Sequence, residues 1–167
     1  MIEANDHPQL ASVNATLIRE VVSSSVGPVQ WWSIGGTGDS ILRERTRHYE
    51  TVTPVTRIAT TLDTLFPHQS FDFIKIDCQG AELEIMKGGP SLLSRATVVL
   101  LECPFAGQYN ERCPSFLEYI QYMDSIGFVP FDISEIHLIH TMTAQIDILF
   151  IRKGEYSDRV QHIISTH

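Results

Sequence analysis

The chain has 167 residues, 43% hydrophobic and 19% charged, with 20 acidic residues against 12 basic ones and a formal charge of −8. This is the composition of one globular domain with a real core, without room for two domains of ordinary size. The acidic balance argues against a generic nucleic-acid backbone binder, which needs a positive footprint, and no apolar run reaches the length of a membrane span.

Met1-Ile2-Glu3 reads as the end of a strand. Asn5-Asp6-His7-Pro8 is turn and cap chemistry. Leu10, Val13, Leu17, Ile18 and Val21 recur at helical spacing, so a helix is expected over residues 8–22. A loop leads to an expected strand at 29–34, followed by the glycine cluster Gly35-Gly36-Thr37-Gly38. Residues 41–49 read as a short helix or irregular chain, 55–60 as a strand, and 62–66 as a short helix stopped by Pro67.

Residues 71–89, FDFIKIDCQGAELEIMKGG, carry the most information. Residues 71–76 are strand formers that alternate poorly, as expected of a strand covered on both faces and placed inside a parallel sheet. The run ends in Asp77, then Cys78-Gln79-Gly80, and a helix begins at about Ala81 with Glu82 and Glu84 in its first turn. Gly88-Gly89-Pro90 stops it. In open α/β sheets ligands bind outside the carboxyl ends of the strands. Asp77 is at such an end, and Gly80 permits a tight turn. Asp77 is equally suited to cap the turn or helix that follows.

Beyond this unit, 91–95 is a short helical piece and 97–102 a buried strand. A loop over 104–114 carries Tyr109 and Asn110, which would lie over the strand ends. Ser115 caps a helix closed by Gly127. Strands are expected at 128–133 and 146–152, with little helical signal between them, which permits a closing antiparallel strand. Residues 1–153 form the expected domain, and 154–167 a polar, mobile tail. Strands alternating with helices mean an α/β sheet.

Cys78, Cys103 and Cys113 are odd in number and form no CxxC, which suits free thiols, a reducing compartment and a cytoplasmic location. Residues 1–7 lack the basic start and apolar core of a secretory leader. The seven histidines form no HxxxH pattern, and His137 and His140 are the close pair. Arg43, Arg45 and Arg47 either meet an anionic substrate or form a solvated face.

TTLDTL (60–65), the 71–89 stretch, VVLLEC (98–103), FLEYI (116–120), Gly127-Phe128 and QIDILFI (145–151) occur in that order. The combination resembles the FkbM family of S-adenosylmethionine-dependent methyltransferases over about residues 1–153. The resemblance implies a class I methyltransferase-like, Rossmann-like fold: a mostly parallel sheet with helices on both faces and a closing antiparallel strand. In that fold a first strand and its glycine-rich turn receive the cofactor, and both are expected before Met1, so the fold is expected to be N-terminally incomplete. By order, Glu3 is the acid that bonds the ribose hydroxyls of S-adenosylmethionine. A carboxylate suits a vicinal diol because it accepts two charge-assisted hydrogen bonds. Gly35–Gly38 is the rival cofactor loop.

Asp77 and Glu102 end consecutive strands and are the expected acids for orienting or deprotonating a substrate hydroxyl, with Asp77 also a cofactor contact and Lys75 a partner for both. Glu82 matches the family motif and would position the turn or the substrate. Asp77 and Glu102 could also hold a hard cation, but no third ligand stands out and the metal-free reading is preferred. The implied activity is O-methylation of a hydroxyl on a small molecule or sugar, with no nucleic-acid or membrane partner; oligomeric state is not legible. The alternative is a truncated or degenerate, non-catalytic Rossmann-like binding module.

Overall fold

A computed structural model describes residues 1–5, 12, 14–106 and 109–166. The fold is α/β and has two sheets. The first contains β1 (Val21–Val22), β2 (Gly27–Trp31) and β3 (Val55–Thr60) in the order β1-β3-β2. The second contains β4 (Phe73–Ile76), β5 (Val98–Pro104), β6 (Phe128–Ile139) and β7 (Met142–Arg152) in the order β4-β5-β7-β6. The helices are α1 (Leu62–Leu65), α2 (Glu82–Lys87), α3 (Pro90–Ser94), α4 (Phe116–Ser125) and α5 (Lys153–Ser165).

Strand alternation divides the second sheet into two chemically different faces. The register aligns Ile76, Leu101 and Ile148 in one row and Ile74, Val99 and Phe150 in the next. These side chains pack with Leu83 and Met86 of α2, Leu92 and Leu93 of α3, and Tyr119 and Met123 of α4 in the main core. Val22 and Leu62 join the same cluster, which ties the smaller sheet to the larger one. Lys75 between these rows, and Glu102 and Asp147 in the row beyond Leu101 and Ile148, alternate to the other face.

Local chemistry explains the helix ends. Ser115 and Glu118 form a reciprocal capping box at the start of α4. Asp63 of α1 accepts from the Ser91 and Leu92 amides and caps α3 from outside (3.0 and 2.8 Å). Arg152 lies over the Phe128 ring at 4.5 Å and donates to the carbonyls of Leu93 and Ala96. No helix among the described residues is long and apolar enough to cross a membrane.

Four expectations need correction. The sheets are mixed: β1–β3 and β4–β5 are parallel, but β2–β3, β5–β7 and β6–β7 are antiparallel. The departure from a mostly parallel sheet is the separate β1-β3-β2 sheet with its antiparallel β2–β3 pair; the antiparallel last strand β7 is the expected closing strand, set by the tight turn at His140-Thr141. That hairpin also extends β6 to Ile139, well beyond the strand expected at 128–133.

Secondly, β4 is an edge strand of its sheet, with Phe73 52% exposed. Its apolar run reflects local packing as much as sheet burial: Phe71 just ahead of it meets Phe66 edge-on at 5.2 Å. Thirdly, the helix expected over 8–22 does not describe its C-terminal part. Ile18 bridges Ile2 in parallel fashion, and Val21–Val22 is β1. β-Branched residues there favour the extended chain over the helix their spacing implied; residues 6–11 and 13 lie outside the described residues. Finally, the polar tail is helical over Lys153–Ser165 and packs on β6 and β7, with Tyr156 against Phe131.

Candidate functional site

The parallel register between β4 and β5 pairs Ile76 with Leu101. Asp77 and Glu102 are the next residue on each strand, so both are carried to the same end of neighbouring strands. Asp77 is partly exposed and pairs with Lys75 Nζ at 3.2 Å. Glu102 is 8% exposed. It faces Asp147 across the β5–β7 ladder, and Asp147 is also buried. Lys75 Nζ lies 3.9 Å from Asp147 Oδ2, and His137 Nε2 of β6 lies 3.2 Å from Asp147 Oδ1. A row of ionisable side chains thus crosses all four strands.

The electrostatic consequence falls on Glu102. Burial first, and then the charges of Asp77, Glu82 and Asp147, push its carboxyl up to about 8, against the opposing pull of Lys75. Lys75 moves upward too, chiefly through its hydrogen bond to Asp77.

Glu82 takes a different position. It is fully buried at the start of α2. Its Oε1 accepts from the Cys78 and Gly80 amides (2.8 and 3.1 Å), and its Oε2 accepts from the Tyr119 hydroxyl. Burial pushes its carboxyl upward, while these hydrogen bonds pull against the shift. The turn after β4 is therefore held from inside. Gln79 and Gly80 both have positive φ there, 55° and 90°. The same environment pushes the Cys78 thiol up, burial first and then the charges of Glu82 and Asp77, with Glu3 contributing.

Beside this turn is a cleft of about 470 Å³ lined by Gly38, Glu44, Gln79, Glu102, Tyr109 and Gln145, among others. Tyr109 donates its hydroxyl to Gln79 Oε1 at 2.9 Å, so the loop after β5 does reach over the strand ends. Asn110 is buried and braces Leu42 instead. The glycine loop forms another wall and is organised by Asp39, which accepts from the Ile34 and Gly35 amides, Ser33, Asn5 and Tyr49. Burial raises the Asp39 carboxyl, but these donors outweigh it and hold it below the usual value. Ser40 ties the loop to the turn by donating to the Cys78 carbonyl (3.2 Å).

Glu3 is half-buried, accepts from the Asn5 amide at 2.9 Å and does not line the cleft. Arg43 is committed to the Tyr49 and Glu50 carbonyls and to Glu111, and lies over the Trp32 ring. None of the three cysteines is in a disulfide.

The model of the methyltransferase FkbM domain matches residues 10–130. The chain belongs to the FkbM methyltransferase family. No curated protein and no solved structure gives a match. In this FkbM domain, the motif residues Asp77 and Glu82 divide the turn after β4 between them: Asp77 faces outward at the strand end and Glu82 inward beneath the backbone. The family match ends at residue 130, and residues beyond it complete the ionisable row. Sequence reading missed Asp147 and His137 there, together with Gln79 and Gln145 at the cleft. A signal was available for Asp147, which is the single acid in the apolar run Ile146-Asp147-Ile148. His137 had none, because a bulged edge strand brings it inward.

Proposed function

We propose that this FkbM domain transfers a methyl group from S-adenosylmethionine to a hydroxyl oxygen of a small molecule or sugar. The observation that carries the reading is the pair Asp77 and Glu102, at the same end of adjacent parallel strands, with Glu102 in the lining of an open cleft. The cofactor, when bound, supplies an activated methyl on a positively charged sulfonium. Glu44 in the lining suits that charge, and the cleft of about 470 Å³ is open rather than enclosed. Glu3 is the candidate for the ribose diol by its place in the family order, although its side chain accepts from the Asn5 amide and does not line the cleft.

Transfer is an in-line displacement, so the chain's task is alignment. Asp77 is the accessible carboxylate and would accept the hydroxyl proton as the oxygen takes the methyl, the methyl–sulfur bond breaking to leave a neutral thioether. Lys75 holds Asp77 in place by its ion pair. Glu82 positions the turn, and Tyr109 and Gln79 form a hydrogen-bonded edge against which an acceptor can rest.

The test is incubation of the protein with methyl-labelled S-adenosylmethionine and a panel of hydroxylated acceptors, with calorimetry for cofactor binding. Label recovered as a methyl ether, and lost in Asp77→Asn, supports the reading. Absence of both cofactor binding and transfer overturns it.

A further inference from the structure

We propose that Glu102, Asp147 and His137 form a binding site for one first-row divalent cation, of the Mn²⁺ or Zn²⁺ class. One ligand atom from each lies within 4.8 Å of the others. The three come from β5, β7 and β6, adjacent strands of one sheet, so their backbones are fixed before any ion arrives. The ladder puts Glu102 directly opposite Asp147. The β6–β7 register nominally sets Glu135 opposite Asp147 and His137 opposite Gln145, but it shifts twice in this stretch, between Ile133 and Glu135 and between His137 and Leu138. In this irregular stretch the imidazole reaches across, leaving Nε2 3.2 Å from Asp147 Oδ1. Two neighbouring ligands on one ion with bonds near 2.1 Å are separated by about 3.0–3.5 Å.

A second observation points the same way. Glu102 Oε2 is buried with no hydrogen-bond partner among the described residues. A buried carboxylate oxygen left bare is costly, and native structures rarely keep one without a reason such as an ion. Lys75 acts on Glu102 only through space: its ion pairs are with Asp77 and Asp147, and Oε2 stays without a partner. A cation at the shared point would satisfy Glu102 and relieve its repulsion with Asp147. Two carboxylates and one imidazole favour Mn²⁺ or Zn²⁺ over Ca²⁺ or Mg²⁺, whose sites are built from oxygen. The other ring nitrogen, His137 Nδ1, has Glu135 Oε1 at 4.0 Å, the kind of outer carboxylate that orients a metal-bound imidazole. Because Glu102 also lines the cleft, an open coordination position would be accessible from it. The site stands on its own geometry and does not depend on the methyl-transfer reading.

The experiment uses chelator-treated protein titrated with Mn²⁺ followed by electron paramagnetic resonance, and with Zn²⁺ followed by calorimetry, without cofactor or substrate. One ion per chain is expected, with a rise in melting temperature on saturation. Glu102→Gln and His137→Ala should each weaken binding by about tenfold or more while circular dichroism stays native. His137 is about one-third exposed on an edge strand, so its variant keeps the test decisive if Glu102→Gln fails to fold. No saturable binding of either metal at millimolar concentration, or binding that persists in a folded variant, overturns the site.

Discussion

The Tyr119 hydroxyl on α4 donates to Glu82, whose other oxygen ties down the amides of Cys78 and Gly80 after β4. A side chain from one helix thereby sets the shape of a turn almost forty residues earlier (|i−j| = 37). Removing the donor leaves a buried carboxylate short of one hydrogen bond. Tyr119→Phe is expected to lower stability by about 1.5–3 kcal/mol, and Glu82→Ala by more, because it also frees two backbone donors. Urea denaturation with an unchanged slope is the measurement. A loss below about 0.5 kcal/mol for Tyr119→Phe would remove the bond from the account.

Asp63 gives a prediction with a pH signature. Burial raises its carboxyl, but the Ser91 and Leu92 amides outweigh that and bring it below its ordinary value of 3.8. A depressed carboxyl contributes stability that is present above the unfolded value and lost as pH falls through the folded one. Asp63→Ala should therefore cost about 1 kcal/mol at neutral pH. The gap from wild type should close as pH falls below 3.8. A gap that is the same at pH 7 and in acid would show that the cap acts by shape alone.

Two glycines with similar backbone conformation should respond differently to alanine. Gly80 has φ +90°, and a Cβ there would lie 2.8 Å from Cys113 Sγ. Gly127 has φ +86°, and its nearest atom is the Arg152 guanidinium Nη1 at 3.8 Å. Gly127→Ala is expected to cost only the left-handed strain, about 1–2 kcal/mol. Gly80→Ala adds a clash at the turn beside the cleft and should cost more. Equal melting temperatures for the two variants would mean that the Cys113 segment yields freely.

Asp77→Asn separates chemistry from scaffold. The stability change should be about 1 kcal/mol or less, because the ion pair with Lys75 is solvent-exposed. Methyl transfer should fall about 10²–10⁴-fold, the range of a general base. Near wild-type turnover on the same preparation would return Asp77 to a structural role.

Much of this molecule is local and was therefore legible. Ser115 with Glu118 names a helix start, Gly127 its end, and Asp77-Cys78-Gln79-Gly80 a turn after a strand, because each signal acts within a few residues. The adjacency of Asp77 and Glu102 was also accessible, since consecutive parallel strands tend to be neighbours. Periodicity failed where two structures share one pattern: Leu17, Ile18 and Val21 fit a helix by spacing, and the chain there is extended instead.

The edge position of β4 and the placement of His137 beside Asp147 could not be read from any single segment. Each depends on which strand lies alongside, and strand pairing is a long-range choice made by the packing of the whole sheet. The ionisable row from Lys75 and Asp77 through Glu102 and Asp147 to His137 exists only because β7 returns antiparallel between β5 and β6. Residues far apart in the chain become electrostatic neighbours there, and the low dielectric of the sheet face turns that proximity into shifted protonation.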